Sequence, residues 1–327
     1  MLIALLIIAR TAHIGASILL VGTFTFKLIT LGPAGRGGSH DFHRLQLCLL
    51  HLARWSLVVA LLSGVLWFWL EVANMSGLPL LRAVFTAAWP AVLFETKFGH
   101  VWQLRLGLTV LAFALVAGGT AQAQTRHALI IAVFLISIVL LVSLAWISHA
   151  ASSRVQPLGL LGDALHLCAA SVWIGGLVPL AIFLARPRAS LSLGKQDLHI
   201  IRRFSTLSLT CVGVLIVSGI SNSWLLVGSI YALLTTRYGW LLLAKLAAFG
   251  VLIGLGARNR FIIETKLKAA TGSGLPAQLR RNVICETCLG LVVVGIVACL
   301  GITPLHEVLK CQLKNMEYCL PAGGLKC

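Results

Sequence analysis

Residues 148–180, SHAASSRVQPLGLLGDALHLCAASVWIGGLVPL, connect two strongly apolar segments of the chain. The stretch places two imidazoles and one carboxylate, those of His149, His166 and Asp163, beside the connection. The apolar run after Asp163 has roughly 20 residues, which is the length that an α-helix needs to cross a bilayer. We therefore interpret the stretch as a turn at the membrane surface between two transmembrane helices, with polar side chains gathered next to it.

The composition of the whole chain is typical of a membrane protein. Of its 327 residues, 59% are hydrophobic and only 11% are charged, and the mean hydropathy is +0.97. Soluble domains have about a quarter of their residues charged. The apolar runs are long and continuous, and the sequence lacks the short alternating segments of an outer-membrane barrel. We predict an all-α, polytopic bundle of transmembrane helices embedded in the lipid bilayer.

Eight apolar runs are long enough to be transmembrane helices. The first begins close to Met1 and is too long for the core of a signal peptide, so we expect it to remain in the mature protein. A further apolar segment, residues 78–95, is interrupted by Arg82 and Pro90, and we interpret it as an interfacial or re-entrant piece. The predicted spans are residues 2–26, 55–73, 98–121, 128–147, 164–185, 204–228, 239–257 and 283–303.

The basic residues predict the orientation of the bundle. The chain has 26 Lys and Arg residues against 9 Asp and Glu, a formal charge of +17. Most of these basic residues lie in alternate loops, those after the first, third, fifth and seventh spans, and an excess of this kind marks cytoplasmic loops. We therefore expect both termini outside the cytoplasm. No basic domain stands apart from the spans, so the charge does not indicate nucleic-acid binding.

The two halves of the sequence are similar to each other. His13 in the first apolar run and His166 in the fifth fall at matching positions. The similarity is carried by three pairs of segments: IIARTAHIGASILLVG (7–22) with LGDALHLCAASVWIGG (161–176), RWS (54–56) with RFS (203–205), and ETKFGHVWQLRL (95–106) with TTRYGWLLLAKL (235–246).

This similarity predicts a duplicated architecture. An even number of spans in each half makes both copies face the same way in the membrane. We predict two parallel four-helix repeats, residues 1–150, which include the interfacial segment, and residues 151–305. An extracytoplasmic tail with cysteines, residues 306–327, follows them.

Histidines gather in the predicted outer half of the bundle. His13 lies about halfway along the first helix, His100 opens the third, His149 and His166 flank the quoted connection, and His306 follows the eighth helix. Neutral imidazole is the commonest metal ligand and suits copper and zinc. We predict a metal site formed by His13, His149 and His166, with His100 and His306 as further candidates. The alternative for each histidine alone is a hydrogen bond between helices.

Two acidic residues lie near these histidines. Asp163 is three residues before His166 and therefore on the same face of a helix, and Glu95 is close to His100. Asp163 is a candidate metal ligand or an acceptor that orients the imidazole of His166. Its alternative role is the N-cap of the fifth helix.

Several of these segments resemble the copper-resistance protein D family of bacterial inner-membrane proteins. The most specific is DALHLCAASVWIGGL, residues 163–177, and the shared segments cover helices one to seven in the same order. The other segments are RTAHIGASILLVGTFTF (10–26), ETKFGHVWQLRL (95–106), SHAA (148–151), RFSTLSL (203–209), TRYGWLLLAKL (236–246) and ARNR (257–260).

The resemblance implies an eight-helix inner-membrane protein that handles copper, commonly thought to pass it from the periplasm to the cytoplasm. It implies that His13, His149 and His166 are the outer-side histidines of the family. It also suggests a periplasmic copper-binding protein as the donor. The tail, with Cys311, Cys319 and Cys327, is not part of the resemblance; a disulfide plus a free thiol and a copper-capturing tail are both open there.

Two cysteines elsewhere are candidates for a cytoplasmic release site. Cys285 and Cys288 lie three residues apart at the predicted cytoplasmic start of the eighth helix. Thiolates prefer Cu(I), whereas the alternative is packing as small apolar groups.

Three functions fit these observations. The first is a copper transporter that binds copper outside and moves it between the two repeats. The second is a membrane redox protein, because helical bundles with paired histidines hold haem and could reduce copper or take electrons from quinol. The third is a copper-binding scaffold that does not transport. The sequence has no nucleophile elbow, phosphate loop or HExxH motif, so no hydrolase is predicted.

Overall fold

A computed structural model describes residues 1–32, 40–118, 127–147, 156–186, 194–268 and 275–303. Within these ranges the regular elements are all helices, and eight of them are long and apolar enough to cross a membrane. In hydrocarbon, backbone N–H and C=O groups find no water, so a segment that crosses it must satisfy them internally, as a helix does. The predicted all-α bundle with eight spans is confirmed.

The elements follow one another along the chain with short connections. We number the α-helices in chain order; the first continues into a π-helical turn, Phe26–Leu31, and the sixth is followed by a 3₁₀ turn, Ala145–Ile147. The helices are α1 Leu2–Thr25, α2 His40–Ser76, α3 Leu80–Phe85, α4 Ala88–Glu95, α5 Lys97–Ala117, α6 His127–Val142, α7 Gln156–Ala185, α8 Lys195–Val227, α9 Ile230–Thr235, α10 Arg237–Lys268 and α11 Leu275–Leu300.

Several helices extend beyond the predicted spans. The sequence predicts the second span from residue 55, whereas α2 begins at His40. The sixth span lies in α8, which begins at Lys195, and the seventh lies in α10, which runs to Lys268. Because neighbouring spans run in opposite directions, these basic extensions lie at one end of the bundle. An apolar run marks only the part of a helix that lies in hydrocarbon. Polar turns can continue the same helix into the headgroup region, where their side chains are solvated.

The segment at residues 78–95 does not form a span. It folds into α3 and α4, which are too short to cross a bilayer. The short helix α9 lies between α8 and α10, which is the corresponding place in the second half. The second and third spans are therefore connected through two short helices in the first half and through one in the second.

The centre of the bundle is the contact between α1 and α7. Helix α1 packs against α2, α6, α7 and α11, and helix α7 packs against α1, α8 and α11. A Cβ atom on Gly22 would overlap the backbone of Gly175, and one on Gly175 would overlap the carbonyl of Ile18. Small residues allow transmembrane helices to approach this closely. Gly22 follows His13 by nine residues and Gly175 follows His166 by nine, so the helices touch at matching positions.

A threonine starts the third span of each half in the same way. The Thr96 hydroxyl accepts a hydrogen bond from the N–H of Gly99 at 3.0 Å, and the Thr236 hydroxyl accepts one from the N–H of Gly239 at 3.0 Å. Side-chain oxygens at this position satisfy N–H groups that have no partner in the first turn of a helix. The aligned sequences TKFG and TRYG thus form equivalent helix starts.

Replacing either threonine by alanine is expected to destabilise the protein. We expect Thr96→Ala and Thr236→Ala each to cost about 1 kcal/mol, because an N–H in the first turn loses its acceptor. Thermal unfolding in detergent would measure this. Thr235→Ala is the matched control, since the exposed Thr235 hydroxyl donates to the carbonyl of Tyr231 in its own short helix and caps no helix start. Equal losses in all three variants would contradict a capping role.

Candidate metal site

The structure places two of the three predicted metal ligands at similar depth in different parts of the bundle. His13 on α1 and His166 on α7 each lie nine residues before the glycine contact of these helices, about 13 Å along the helix axis at 1.5 Å per residue. Within the described ranges, no three His, Cys, Asp or Glu side chains are close enough to share a metal ion. His149 and His306 lie outside those ranges, as do Cys311, Cys319 and Cys327.

His13 has both ring nitrogens bonded. Its side chain is 4% exposed, and its Nδ1–H donates to the carbonyl of Ala60 at 2.9 Å. A carbonyl can only accept, so the proton is on Nδ1 and the lone pair of Nε2 faces Arg105 Nη2 at 2.5 Å. Arg105, itself 2% exposed, also donates to the carbonyl of Leu140 and the hydroxyl of Ser143. We call His13 and Arg105 the N-terminal pair.

His166 has the same tautomer and the same kind of partner. It is half-buried, and its Nδ1 is 3.0 Å from the hydroxyl oxygen of Ser218. That hydroxyl donates its proton to the carbonyl of Val214 at 2.6 Å, so it accepts from the Nδ1–H of His166. The Nε2 lone pair faces the ammonium of Lys245 at 3.5 Å. We call His166 and Lys245 the C-terminal pair.

The basic members of the two pairs were missed as functional residues in the sequence. A signal was present, because the alignment of residues 95–106 with 235–246 puts Arg105 and Lys245 at the same position inside a span. An ionisable residue within a membrane helix is costly and generally functional. What the sequence did not show is that each cation reaches back to the histidine of its own half.

A glycine makes room for each imidazole. A Cβ atom on Gly64 would lie 3.2 Å from Cε1 of His13, and one on Gly219 would lie 3.6 Å from Cε1 of His166. Both glycines directly follow a serine on the second span of their half, Ser63 and Ser218. Each half therefore builds its pair from its first, second and third spans, with a histidine, a serine followed by glycine, and a basic residue at matching positions.

The two pairs differ in how firmly their cations are held. Arg105 is buried and has three acceptors, whereas Lys245 is half-buried. The helices around them differ too, since α2 and α5 pack side by side, while α8 and α10 meet at only a few positions. By side-chain exposure, the C-terminal pair is the less buried of the two.

Asp163 does not cap the fifth span. Helix α7 begins at Gln156, two turns earlier, so the alternative role of Asp163 as an N-cap is wrong. The turn before the apolar run is already helical. The Oδ1 atom of Asp163 accepts from Nδ2 of Asn222 at 3.2 Å, and its carboxylate attracts the ammonium of Lys245. A role as a metal ligand or as an acceptor for His166 stays a prediction.

The further candidates lie at the surface of the described residues. Glu95 ends α4 and His100 lies in the first turn of α5, and both side chains are exposed. Cys285 and Cys288 are exposed free cysteines on α11. Their roles as ligands stay predictions.

A buried carboxyl group lies between these two cysteines in the sequence. Glu286 is 3% exposed, and its Oε1 accepts from Nδ2 of Asn259. The carbonyl oxygen of Asn259 accepts from Nδ2 of Asn282 at 2.7 Å. This network ties α10 to α11, and its sequence signal was the polar ARNR segment at residues 257–260.

The described histidines do not support a haem site. A haem iron held by two histidines needs two imidazoles that face each other across the metal. The Nε2 atoms of His13 and His166 face Arg105 and Lys245 on different helices. Neither ring, in the part of the chain described, is paired with a second histidine.

Comparison with protein families gives two matches that together cover most of the chain. The model for "Copper resistance protein D-like, N-terminal domain" matches residues 1–156. The model for "Copper resistance protein D" matches residues 198–300. His13 and Arg105 lie within the first matched range and Lys245 lies within the second. His166 lies between the two ranges.

Curated relatives agree with these matches. The chain is 30% identical over 220 residues to copper resistance protein D of Pseudomonas syringae pv. tomato, covering 63% of this chain and 68% of the relative. It is 31% identical over 206 residues to copper transport protein CutJ of Bacillus subtilis (strain 168), covering 62% and 36%. It is 27% identical over 220 residues to inner membrane protein YebZ of Escherichia coli (strain K12), covering 65% and 70%. The match thus spans about a third of CutJ. No solved structure matches the chain.

Proposed function

Since this chain belongs to the copper-resistance protein D family, we propose that it binds copper at the periplasmic side of the inner membrane and transports it into the cytoplasm. His166 receives the ion, and His149 and Asp163 complete the site. A periplasmic copper-binding protein is the proposed donor. Both termini are proposed to face the periplasm, in keeping with the basic helix extensions gathered at the opposite end of the bundle.

The observation that carries this proposal is the state of the His166 ring. Its Nδ1–H is bound to Ser218, which leaves Nε2 with its lone pair. Metal-binding imidazoles are oriented in this way, by a hydrogen bond from the nitrogen that does not bind the metal. Asp163 lies one turn before His166 on the same helix, so its carboxylate can partly neutralise an ion at Nε2.

His149 is proposed as a ligand because of its place in the chain. Residues 148–155 directly precede α7, which carries both Asp163 and His166. His13 is different, because Nε2 can coordinate a metal only after its hydrogen bond with Arg105 has been broken. The part of His13 in copper binding stays a prediction of the sequence.

Copper uptake into sealed vesicles that contain the purified protein tests the proposal. We expect His166→Ala and His149→Ala to lower the uptake rate by about tenfold or more, as loss of an orienting or binding group does at metal sites. His199→Ala is the control. This exposed histidine lies at the start of α8, which is at the end of the bundle opposite to the proposed site. Uptake that is unchanged in both variants would contradict the site. Copper binding in detergent without uptake would indicate a scaffold instead.

A further inference from the structure

We propose that the ammonium of Lys245 is a built-in cation that occupies the copper position at His166 when copper is absent, and that copper binds by displacing it. This inference rests on the proposed function of the same site. Lys245 would then set the copper affinity of the site, and copper binding would require its charged side chain to move.

The geometry of the C-terminal pair is the first support. The Nζ atom of Lys245 lies 3.5 Å from Nε2 of His166, on the side where the lone pair points. A lone pair serves one partner at a time, so an ammonium donor and a copper ion cannot both use it. Copper can therefore reach Nε2 only after Nζ has moved away.

The N-terminal pair is the second support. There the same position is filled by Arg105, whose Nη2 faces the Nε2 of His13. A cation opposite the histidine is therefore found in both halves, at positions that the alignment matches. Because the arrangement recurs at matching positions in both halves, a chance approach of one lysine is a poor explanation.

The difference between the two cations decides which pair can exchange. Arg105 is fixed by a planar guanidinium with further bonds to Leu140 and Ser143. Lys245 carries its charge on a flexible chain of four methylene groups, and it is half-buried where α8 and α10 barely touch. The N-terminal pair is therefore locked, and the C-terminal pair can open.

Asp163 offers the displaced ammonium a second partner. It lies one turn before His166 on the same helix and attracts Lys245. Its carboxylate also accepts from Asn222, so it is held in place. When copper takes Nε2, one oxygen of the Asp163 carboxylate can hold the ion while the other keeps its attraction for the ammonium. The ammonium thereby leaves the position at Nε2 that the ion takes.

Copper affinity of the purified full-length protein tests the inference. Affinities are measured in detergent by competition with a chelator, for Cu(I) under reducing conditions and for Cu(II) in air. We expect Lys245→Met to bind copper about tenfold more tightly, because no charged hydrogen bond must be broken first. We expect Lys245→Arg to bind about tenfold more weakly, because a guanidinium holds Nε2 as it does in the N-terminal pair.

Two controls separate this effect from others. Arg237→Met removes an exposed charge from the start of the same helix, so it reports the effect of lowering the net charge alone, and we expect no change in affinity. His166→Ala should remove the difference between lysine and methionine at position 245. A tightening in Arg237→Met as large as that in Lys245→Met, or one that persists without His166, would overturn the inference.

A second measurement does not depend on mutating Lys245. Reductive methylation of the wild-type protein, read by mass spectrometry, should modify Lys245 faster when copper is bound, because its ammonium has left Nε2. Copper that binds with the expected affinity but leaves the methylation rate of Lys245 unchanged would overturn the displacement and leave the proposed function standing. Absence of copper binding, in wild type and in Lys245→Met alike, would overturn both.

Discussion

Gly22→Leu is expected to leave no stably folded protein in the membrane. The added side chain would overlap the backbone of Gly175, so the two central helices would have to separate along their whole contact. Overpacking of an ordinary core costs about 1–3 kcal/mol. Here the neighbour is a backbone that cannot rotate away, and both halves of the bundle are joined through this contact. The yield of monodisperse protein in detergent would show the loss.

The matched control is Gly15→Leu on the same helix. A Cβ atom on Gly15 has no neighbour within 4 Å, so we expect this variant to fold with a yield close to that of the wild type. The two substitutions have the same chemistry and the same helix propensity cost, and they differ in what faces the side chain. Similar yields for both would show that α1 and α7 do not pack through these glycines.

His13→Ala is expected to destabilise the protein by about 3 kcal/mol, because it leaves a buried guanidinium without one of its acceptors. The same change at His166 should cost only about 1 kcal/mol, since this ring is half-buried and its cation is more loosely held. Chemical unfolding in detergent would compare the two variants. The contrast follows from the different surroundings of two histidines that occupy matching positions in the sequence.

The double variant His13→Leu, Arg105→Leu is the control for this interpretation. Removing both partners takes the charge away together with its acceptor, so we expect it to be less destabilising than His13→Ala. Copper stoichiometry is the second measurement. If His13 has only a structural role, the folded fraction of His13→Ala should bind as much copper per molecule as the wild type. Unchanged stability together with a lost copper ion would show that His13 is a ligand and that the N-terminal pair opens.

The number of spans could be predicted from the sequence because hydrophobicity acts locally. A run of about 20 apolar residues must be helical in hydrocarbon whatever surrounds it. The ends of the helices could not be read in the same way. The alternative role of Asp163 as an N-cap depends on the apolar run that begins after it, whereas α7 already begins at Gln156. Polarity marks the edge of the hydrocarbon, and a helix can continue past that edge.

The matching positions of His13 and His166 could also be found in the sequence. Their partners could not, because Arg105 is 92 residues from His13 and Lys245 is 79 residues from His166. Whether such residues meet depends on how far each helix is rotated about its axis and how closely the helices pack. A polar face would show which side of a helix points into the bundle. These apolar runs have no strong polar face, so the rotation of each helix about its axis cannot be read from the sequence.

The sequence by itself therefore determined an all-helical membrane protein with eight spans, its family and the residues that match between its halves. Only the tertiary structure decided that the lone pairs of His13 and His166 each face a cation, and that the first of these pairs is buried while the second is half-buried. The physical reason is that burial in lipid is a property of each segment. The contacts of a ring nitrogen are set by the approach of α1 and α7 at Gly22 and Gly175 and by the helices packed around them.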